Sequence, residues 1–230
     1  MKKNKNKILV IAAHPDDEVL GCGGTIAKYA KDSDVYIAIL GEGVSSRYDQ
    51  KDEKEKKELI ALQKQCQKAA KFLGAKDNFF FNFPDNQFDT VSFLKIVKKI
   101  EAIIQKIKPQ KIYTHHSGDL NIDHRITFRA VLTATRPVES FSVKEIYSFE
   151  ALSSTEWAFQ KIGGSFSPNV FEDISKTIGK KVKAMQMYKS EIRNFPHPRS
   201  KEAIIALAKK WGSVTGVKYA EAFELIRSLK

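Results

Sequence analysis

The sequence predicts an α/β fold, a mostly parallel sheet with helices on both faces. Short apolar runs alternate with amphipathic segments through the first two-thirds of the chain. The first run, Ile8 to Ala13, is continuously apolar, as a strand buried on both faces is. The intervals between runs are long enough to hold the helix that a parallel crossover needs.

Ile8 to Ala13 is strand one, ended by a His-Pro turn. Gly21, Gly23 and Gly24 read as a loop, with a helix over Thr25 to Ala30. Val35 to Leu40 is strand two, closed by Gly41 and Gly43. Lys51 to Leu73 is a long amphipathic helix. Its apolar positions Leu59, Leu62, Cys66, Ala69 and Leu73 step by three or four residues, and Gly74 stops it. Phe79 to Phe83 is strand three, its aromatic side chains read as structural, followed by Pro84-Asp85-Asn86. Phe93 to Ile107 is a helix ended by Pro109. Ile112 to His115 is strand four, and Asp123 to Ala134 the next helix. After a fifth strand within Lys144 to Ala151, helices are expected over Ser175 to Lys189, Lys201 to Trp211 and Tyr219 to Leu229. They should pack on the same sheet, so that residues 1–230 form one domain.

Composition narrows the function classes. The formal charge of +12 attracts anions, but the lysines are spread rather than banded, so a dedicated nucleic-acid binder is not expected. The basic stretch Met1 to Lys7 reads as a short tail. The apolar run after it is too short for a signal sequence and has no small-residue cleavage site. No segment reaches the roughly 20 apolar residues of a membrane span. The two cysteines form neither a disulfide framework nor a paired metal motif. Cys22 reads as a packed structural residue, and a reducing, cytoplasmic compartment fits.

The chemistry gathers where parallel sheets place it, beyond the carboxyl ends of the strands. His14-Pro15-Asp16-Asp17-Glu18 follows strand one. Three acids in a row after a buried strand must be solvated or bound to a cation, and the histidine adds a nitrogen donor. At the end of strand four, Thr114-His115-His116-Ser117-Gly118-Asp119-Leu120-Asn121-Ile122-Asp123-His124-Arg125 holds three of the five histidines. Mixed imidazole and carboxylate donors suit a catalytic zinc, which keeps three protein ligands and one open position. A neighbouring carboxylate then takes the proton of a water molecule. Spacing leaves open which of Asp16 and Asp17 binds and which is the base.

Ala13-His14-Pro15-Asp16-Asp17-Glu18 followed by Asp123-His124-Arg125 resembles the PIG-L/LmbE-like family of zinc-dependent N-acetylglucosamine deacetylases, in similar order over nearly the whole chain. The resemblance implies a Rossmann-like fold. It also implies His14, Asp17 and His124 as zinc ligands, Asp16 as general base, and hydrolysis of an N-acetyl amide on an amino sugar. It places the Gly41 to Arg47 loop beside the sugar and Asp85 on sugar hydroxyls. Many members carry a histidine where this chain has Asn121. Asparagine can donate to an oxyanion but cannot deliver a proton. That leaves His115, His116 and His197 as candidate acids, or Asp16 carrying the proton from water to amine itself.

Arg47 is suited to clamping a phosphate or carboxylate, and with the positive charge it favours an anionic group on the substrate. The Phe195-Pro196-His197-Pro198-Arg199-Ser200 loop is stiffened by two prolines, with Ser200 as N-cap. It is expected to fold over the pocket. The expected substrate contacts are therefore Arg47, Asp85, His116, Asn121, His197 and Arg199. Two other readings stay open. One is a magnesium-dependent phosphoryl-transfer enzyme using the three acids. The other is a non-catalytic basic module for glycan or nucleic acid. The oligomeric state, a homo-oligomer included, is not fixed by the sequence.

Overall fold

In the computed structural model, residues 5–48, 53–138 and 141–230 are described. Most of the basic tail, Met1 to Asn4, lies outside them, as do Lys51 and Asp52 of the expected long helix.

The strands are β1 (Lys7–Ala12), β2 (Asp34–Gly41), β3 (Asp77–Phe83), β4 (Lys111–His115), β5 (Glu145–Phe149), β6 (Val170–Asp173) and β7 (Ala220–Ser228). The helices are α1 (Asp17–Tyr29), α2 (Glu53–Leu73), α3 (Phe93–Ile107), α4 (Ile122–Ala134), α5 (Ile178–Met185) and α6 (Lys201–Thr215). The seven strands form one sheet in the order β3-β2-β1-β4-β5-β7-β6. The first five are parallel, and β7 runs antiparallel between β5 and β6.

Strand alternation explains the two-faced core. Ile8, Val10 and Ala12 of β1 join one apolar cluster with residues of α1, α2 and α5, such as Val19, Leu62 and Met185. Leu9, Ile11 and Ala13 join the other, against Ile100 and Ile104 of α3 and Val131 of α4. From β1 the chain moves to β2 and β3 on one side, then to β4 and β5 on the other. That reversal between β1 and β4 opens the crevice in which such sheets bind ligands.

Three expectations change. First, α1 begins at Asp17, not Thr25, and includes the glycines. They serve close packing: a Cβ on Gly21 would lie 2.2 Å from the Phe149 ring. The helix breaks at Cys22, which has non-helical dihedrals. The amides of Gly24 and Thr25 donate instead to the Glu221 carboxylate, at 2.9 and 2.7 Å. Second, Tyr219 to Leu229 is mostly strand β7, because the sheet offers paired edges on both sides of it, and over so short a segment pairing overrides helical periodicity. Third, the four-residue β6 was not expected, and α5 is shorter than Ser175 to Lys189. By contrast, α3 has the expected bounds, and Ser200 caps α6 by accepting from the Ala203 amide at 3.1 Å. Cys22 and Cys66 are both buried and free.

Glu221 also pairs with buried Lys181 at 2.6 Å, and the same ammonium donates to the Leu20 carbonyl at 2.7 Å. These contacts tie α5 and β7 to the break in α1. Removing one partner strands the other's charge in the core, so Lys181→Met is expected to destabilise the protein by about 3–5 kcal/mol. Denaturant unfolding of the metal-free protein measures it.

Candidate active site

The turn from β1 into α1 carries His14, Pro15 and Asp16 to the crevice. Asp16 adopts a left-handed backbone (φ 104°), a conformation that is strained for a non-glycine residue and concentrates at functional sites. The next residue, Asp17, opens α1 with its side chain turned inward. Its Oδ2 lies 3.5 Å from His14 Nδ1 and 3.2 Å from Nε2 of His124, which comes from the first turn of α4. The donor atoms of these three side chains all lie within 4.8 Å of one another.

Each imidazole is oriented by a second carboxylate. His14 Nε2 meets Asp123 Oδ2 at 2.9 Å and Asp85 Oδ1 at 3.2 Å. His124 Nδ1 meets Asp119 Oδ1 at 3.1 Å. Asp119 accepts further bonds from the Ser154 hydroxyl, the Thr155 hydroxyl (2.6 Å) and the Asn121 amide (2.8 Å). The ring nitrogens facing Asp17 are left for a ligand, the arrangement that fixes a metal-binding histidine's tautomer.

The charges follow. Burial pulls His124 down, but the charges of Asp17 and Asp119 outweigh it and push its pKa up to about 9. His14 is likewise raised: burial is overcome by the bonds to Asp123 and Asp17 and by the charges of Asp17 and Asp85. Asp17 lies well below the usual carboxylate range, because the charge of His124 and the bonds from His124 and His14 outweigh its burial. The carboxylates that raise both imidazoles make this a negative pocket, which favours a cation in place of those protons. Asp16 moves the other way. Burial raises its pKa well above the usual value; the Arg199 charge opposes this and Asp17 adds to it.

Arg199 donates from Nη1 to Asp16 Oδ2 at 3.1 Å and to Glu191 Oε2 at 2.8 Å, and from Nε to Ser153 Oγ at 2.8 Å. The other Glu191 oxygen accepts from Arg47 Nη2 at 2.8 Å, and Arg47 Nη1 reaches Glu58 at 2.6 Å. Both arginines are thus ion-paired to acids of this chain.

His14, Asp16, Asp17, Arg47, Asp85, Asn121, His124, Ser153, Glu191 and Arg199 line one cavity of about 260 Å³. Two expected residues do not line it. His116 follows β4 one residue after His115 and points the other way, its Nδ1 2.8 Å from Glu224. His197 packs edge-on to Trp157 and its Nδ1 accepts the Arg199 amide at 3.1 Å, so it shapes the loop that presents Arg199. His115 is fully buried behind the site, stacked on His124 at 3.8 Å, with Nε2 accepting the Ala13 amide at 2.9 Å. Burial and the His124 charge lower its pKa to about 3, leaving it neutral and sealed from solvent. Asn121 caps α4, its Oδ1 accepting the Asp123 amide at 2.8 Å, while its Nδ2 donates to Asn86. Asp85 accepts from Ser46 as well as facing His14.

Glu191 and Asp119 were not singled out from the sequence. Asp119 sits in a turn and Glu191 in a loop after α5, and neither carries a local signal of its partners. Asp119→Asn is expected to weaken metal binding by about 10–100-fold, measured by competition with a chromophoric chelator.

The chain resembles known deacetylases along most of its length. It is 29% identical over 194 residues to the uncharacterized deacetylase YaiS of Escherichia coli (strain K12), covering 81% of this chain and 93% of the relative. It is 25% identical over 232 residues to diacetylchitobiose deacetylase of Thermococcus kodakarensis, covering 96% and 83%. The structure of GalB, the 4-carboxy-2-hydroxymuconate hydratase of Pseudomonas putida KT2440, superposes with a TM-score of 0.77 at 22% identity, covering 98% of each chain. The fold therefore also carries a different reaction, and similarity of shape does not choose between them. The model of a sequence family does: the one described as PIG-L, GlcNAc-PI de-N-acetylase, matches residues 9–135, more than half of the chain, and the protein belongs to that family of de-N-acetylases.

Proposed function

We propose that the protein is a zinc-dependent hydrolase that removes the acetyl group from an N-acetylated amino sugar, with Asp16 as general base. The observation that carries this reading is the triangle of His14, Asp17 and His124 beside Asp16 at the sheet crevice. Tetrahedral zinc with bonds of about 2.0–2.1 Å to nitrogen or oxygen has ligands roughly 3.4 Å apart. The Asp17 distances of 3.5 and 3.2 Å match that edge. Two imidazoles in three donors also argue against magnesium, which prefers oxygen, and so against phosphoryl transfer.

When bound, zinc would polarise the amide carbonyl and acidify a water molecule. Asp16 lines the cavity with one oxygen held by Arg199. Its raised pKa makes it a stronger base than an ordinary carboxylate, suited to accepting a proton from water. Attack on the carbonyl carbon and cleavage of the C–N bond require a proton at the departing nitrogen. His115 is sealed away and His116 and His197 lie outside the cavity, so Asp16 returns the proton to the amine. Acetate and the free amino sugar leave.

The pairing of Arg47 and Arg199 changes one expectation about the substrate. Neither is a free cation, so the cavity favours an uncharged sugar over a phosphorylated one. No helix among the described residues is long and apolar enough to cross a membrane.

An acetate-release screen over N-acetylated sugars, nucleotide sugars and glycolipid precursors, with zinc and with a chelator control, tests the reading. Chelator-sensitive acetate release supports it; none with any amide, in zinc-loaded protein, defeats it. Zinc binding should also depend on pH in a defined direction. The ligand imidazoles must be neutral, and His124 holds its proton up to about pH 9. Apparent affinity is therefore expected to fall as pH falls below 9, by about tenfold per unit for each protonated imidazole. Zinc competition titrations from pH 6 upward measure the slope.

A further inference from the structure

The backbone of Asp16, at φ 104° and ψ −29°, lies outside even the ordinary left-handed region that aspartate visits. A residue so strained persists only where its surroundings over-determine it. Its carbonyl oxygen accepts the Val19 and Leu20 amides, both at 2.9 Å, as α1 begins. Its own amide donates to Glu18 Oε2 at 3.0 Å. The Glu18 side chain is fully buried, and a buried carboxylate is costly unless its oxygens are bonded. Its other oxygen accepts the Tyr188 hydroxyl. Tyr188 is fully buried too, so water does not compete for either group. Neither Glu18 nor Tyr188 lines the catalytic cavity.

Tyr188 belongs to the turn that follows α5. Its carbonyl oxygen accepts the Glu191 and Ile192 amides at 3.0 and 2.9 Å, and Glu191 faces the catalytic cavity. There Glu191 Oε2 shares Arg199 Nη1 with Asp16 Oδ2, at 2.8 and 3.1 Å. The single turn at 188–191 therefore reaches Asp16 by two routes. Tyr188 holds the backbone through Glu18, and Glu191 holds the carboxylate through Arg199. A general base must meet its proton at hydrogen-bond distance and in the right direction. The two routes fix both.

We infer that the 188–191 turn positions the general base, with Tyr188 and Glu18 setting the backbone of Asp16 and Glu191 its side chain. The inference rests on the reading of Asp16 as the base; the hold on the Asp16 backbone stands without it.

Tyr188→Phe removes one hydroxyl and keeps the packed ring. In zinc-saturated protein it is expected to lower kcat about tenfold, a fraction of what a full 1 Å misplacement costs. KM should stay within about twofold. Placed in Asp16→Asn protein, the same substitution should change residual acetate release by less than about twofold, because no base is left to aim. A loss of equal factor in both backgrounds is the signature of packing alone and overturns the inference. Glu191→Gln is expected to lower kcat about tenfold as well, and an unchanged kcat in either variant overturns it. Amide hydrogen exchange in the metal-free protein reads the backbone route without the reaction. Tyr188→Phe should speed exchange of the Asp16 amide about tenfold, while the Ala13 amide, held by His115 Nε2, keeps its rate. Equal acceleration at both amides overturns the inference. Acetate released by the wild type and unmoved by Tyr188→Phe overturns it and leaves the deacetylase reading intact. No acetate from the zinc-loaded wild type, with exchange faster at Asp16 alone, does the reverse.

Discussion

Asp16→Asn is expected to lower kcat by about 10²–10⁴-fold on the acetylated substrate while the protein keeps its zinc. The substitution isolates the proton. Asparagine is one of the few residues that tolerates a left-handed backbone, so the turn at φ 104° should persist. The amide oxygen can still accept from Arg199, so the loop carrying Arg199 should stay in place. What is lost is the ability to take a proton from water and return it to the amine. With His115 buried and His116 and His197 outside the cavity, none of the other candidate histidines is placed to substitute. The check is steady-state acetate release with metal content measured on the same sample. Retained turnover would remove Asp16 from the base role.

His124→Ala is expected to abolish stoichiometric zinc and, with it, activity. Among the described residues His14, Asp17 and His124 supply the donor triangle, and His124 also separates Asp17 from Asp119. Both acids are buried and draw their low pKa values mainly from the charge of that imidazole. Without it they face each other in the core, and the metal-free variant should unfold at lower denaturant concentration than the metal-free wild type. A second signature separates metal loss from general damage. Zinc at 100 times its Kd stabilises a binding-competent protein by about 2.7 kcal/mol. That increment should be present in the wild type and absent in His124→Ala. If the variant retains both bound zinc and the increment, His124 is not a ligand.

Much of this was legible in the sequence because it depended on local chemistry. A continuous apolar run marks β1, and a strict helical stripe with a proline stop marks α3. The cluster of His14, Asp17 and His124 was visible as acids and histidines at predicted strand ends. What escaped depends on contacts far apart in the chain. The glycines of α1 look like loop residues until Phe149 and Ile174 are seen packed against them. The strand β7 looks helical until its two neighbours are in place. His116 was assigned to the site because strand parity was unknown at one residue's precision, and one residue turns a side chain to the opposite face. Glu191 carries no motif; its meaning comes from Arg47, 144 positions away, and from the loop holding Arg199.

The placement of β7 has a consequence for how the enzyme is made. This late segment sits inside the sheet between β5 and β6, and its Glu221 supplies the acceptor for amides in α1 nearly two hundred residues earlier. A growing chain can emerge from the ribosome with both proposed zinc-binding motifs exposed, yet the break in the helix that begins with Asp17 lacks the Glu221 carboxylate until β7 is translated. A finished metal geometry is therefore expected only once β7 has been translated, and a nascent chain halted before residue 220 should bind zinc weakly although it already holds the proposed ligands His14, Asp17 and His124.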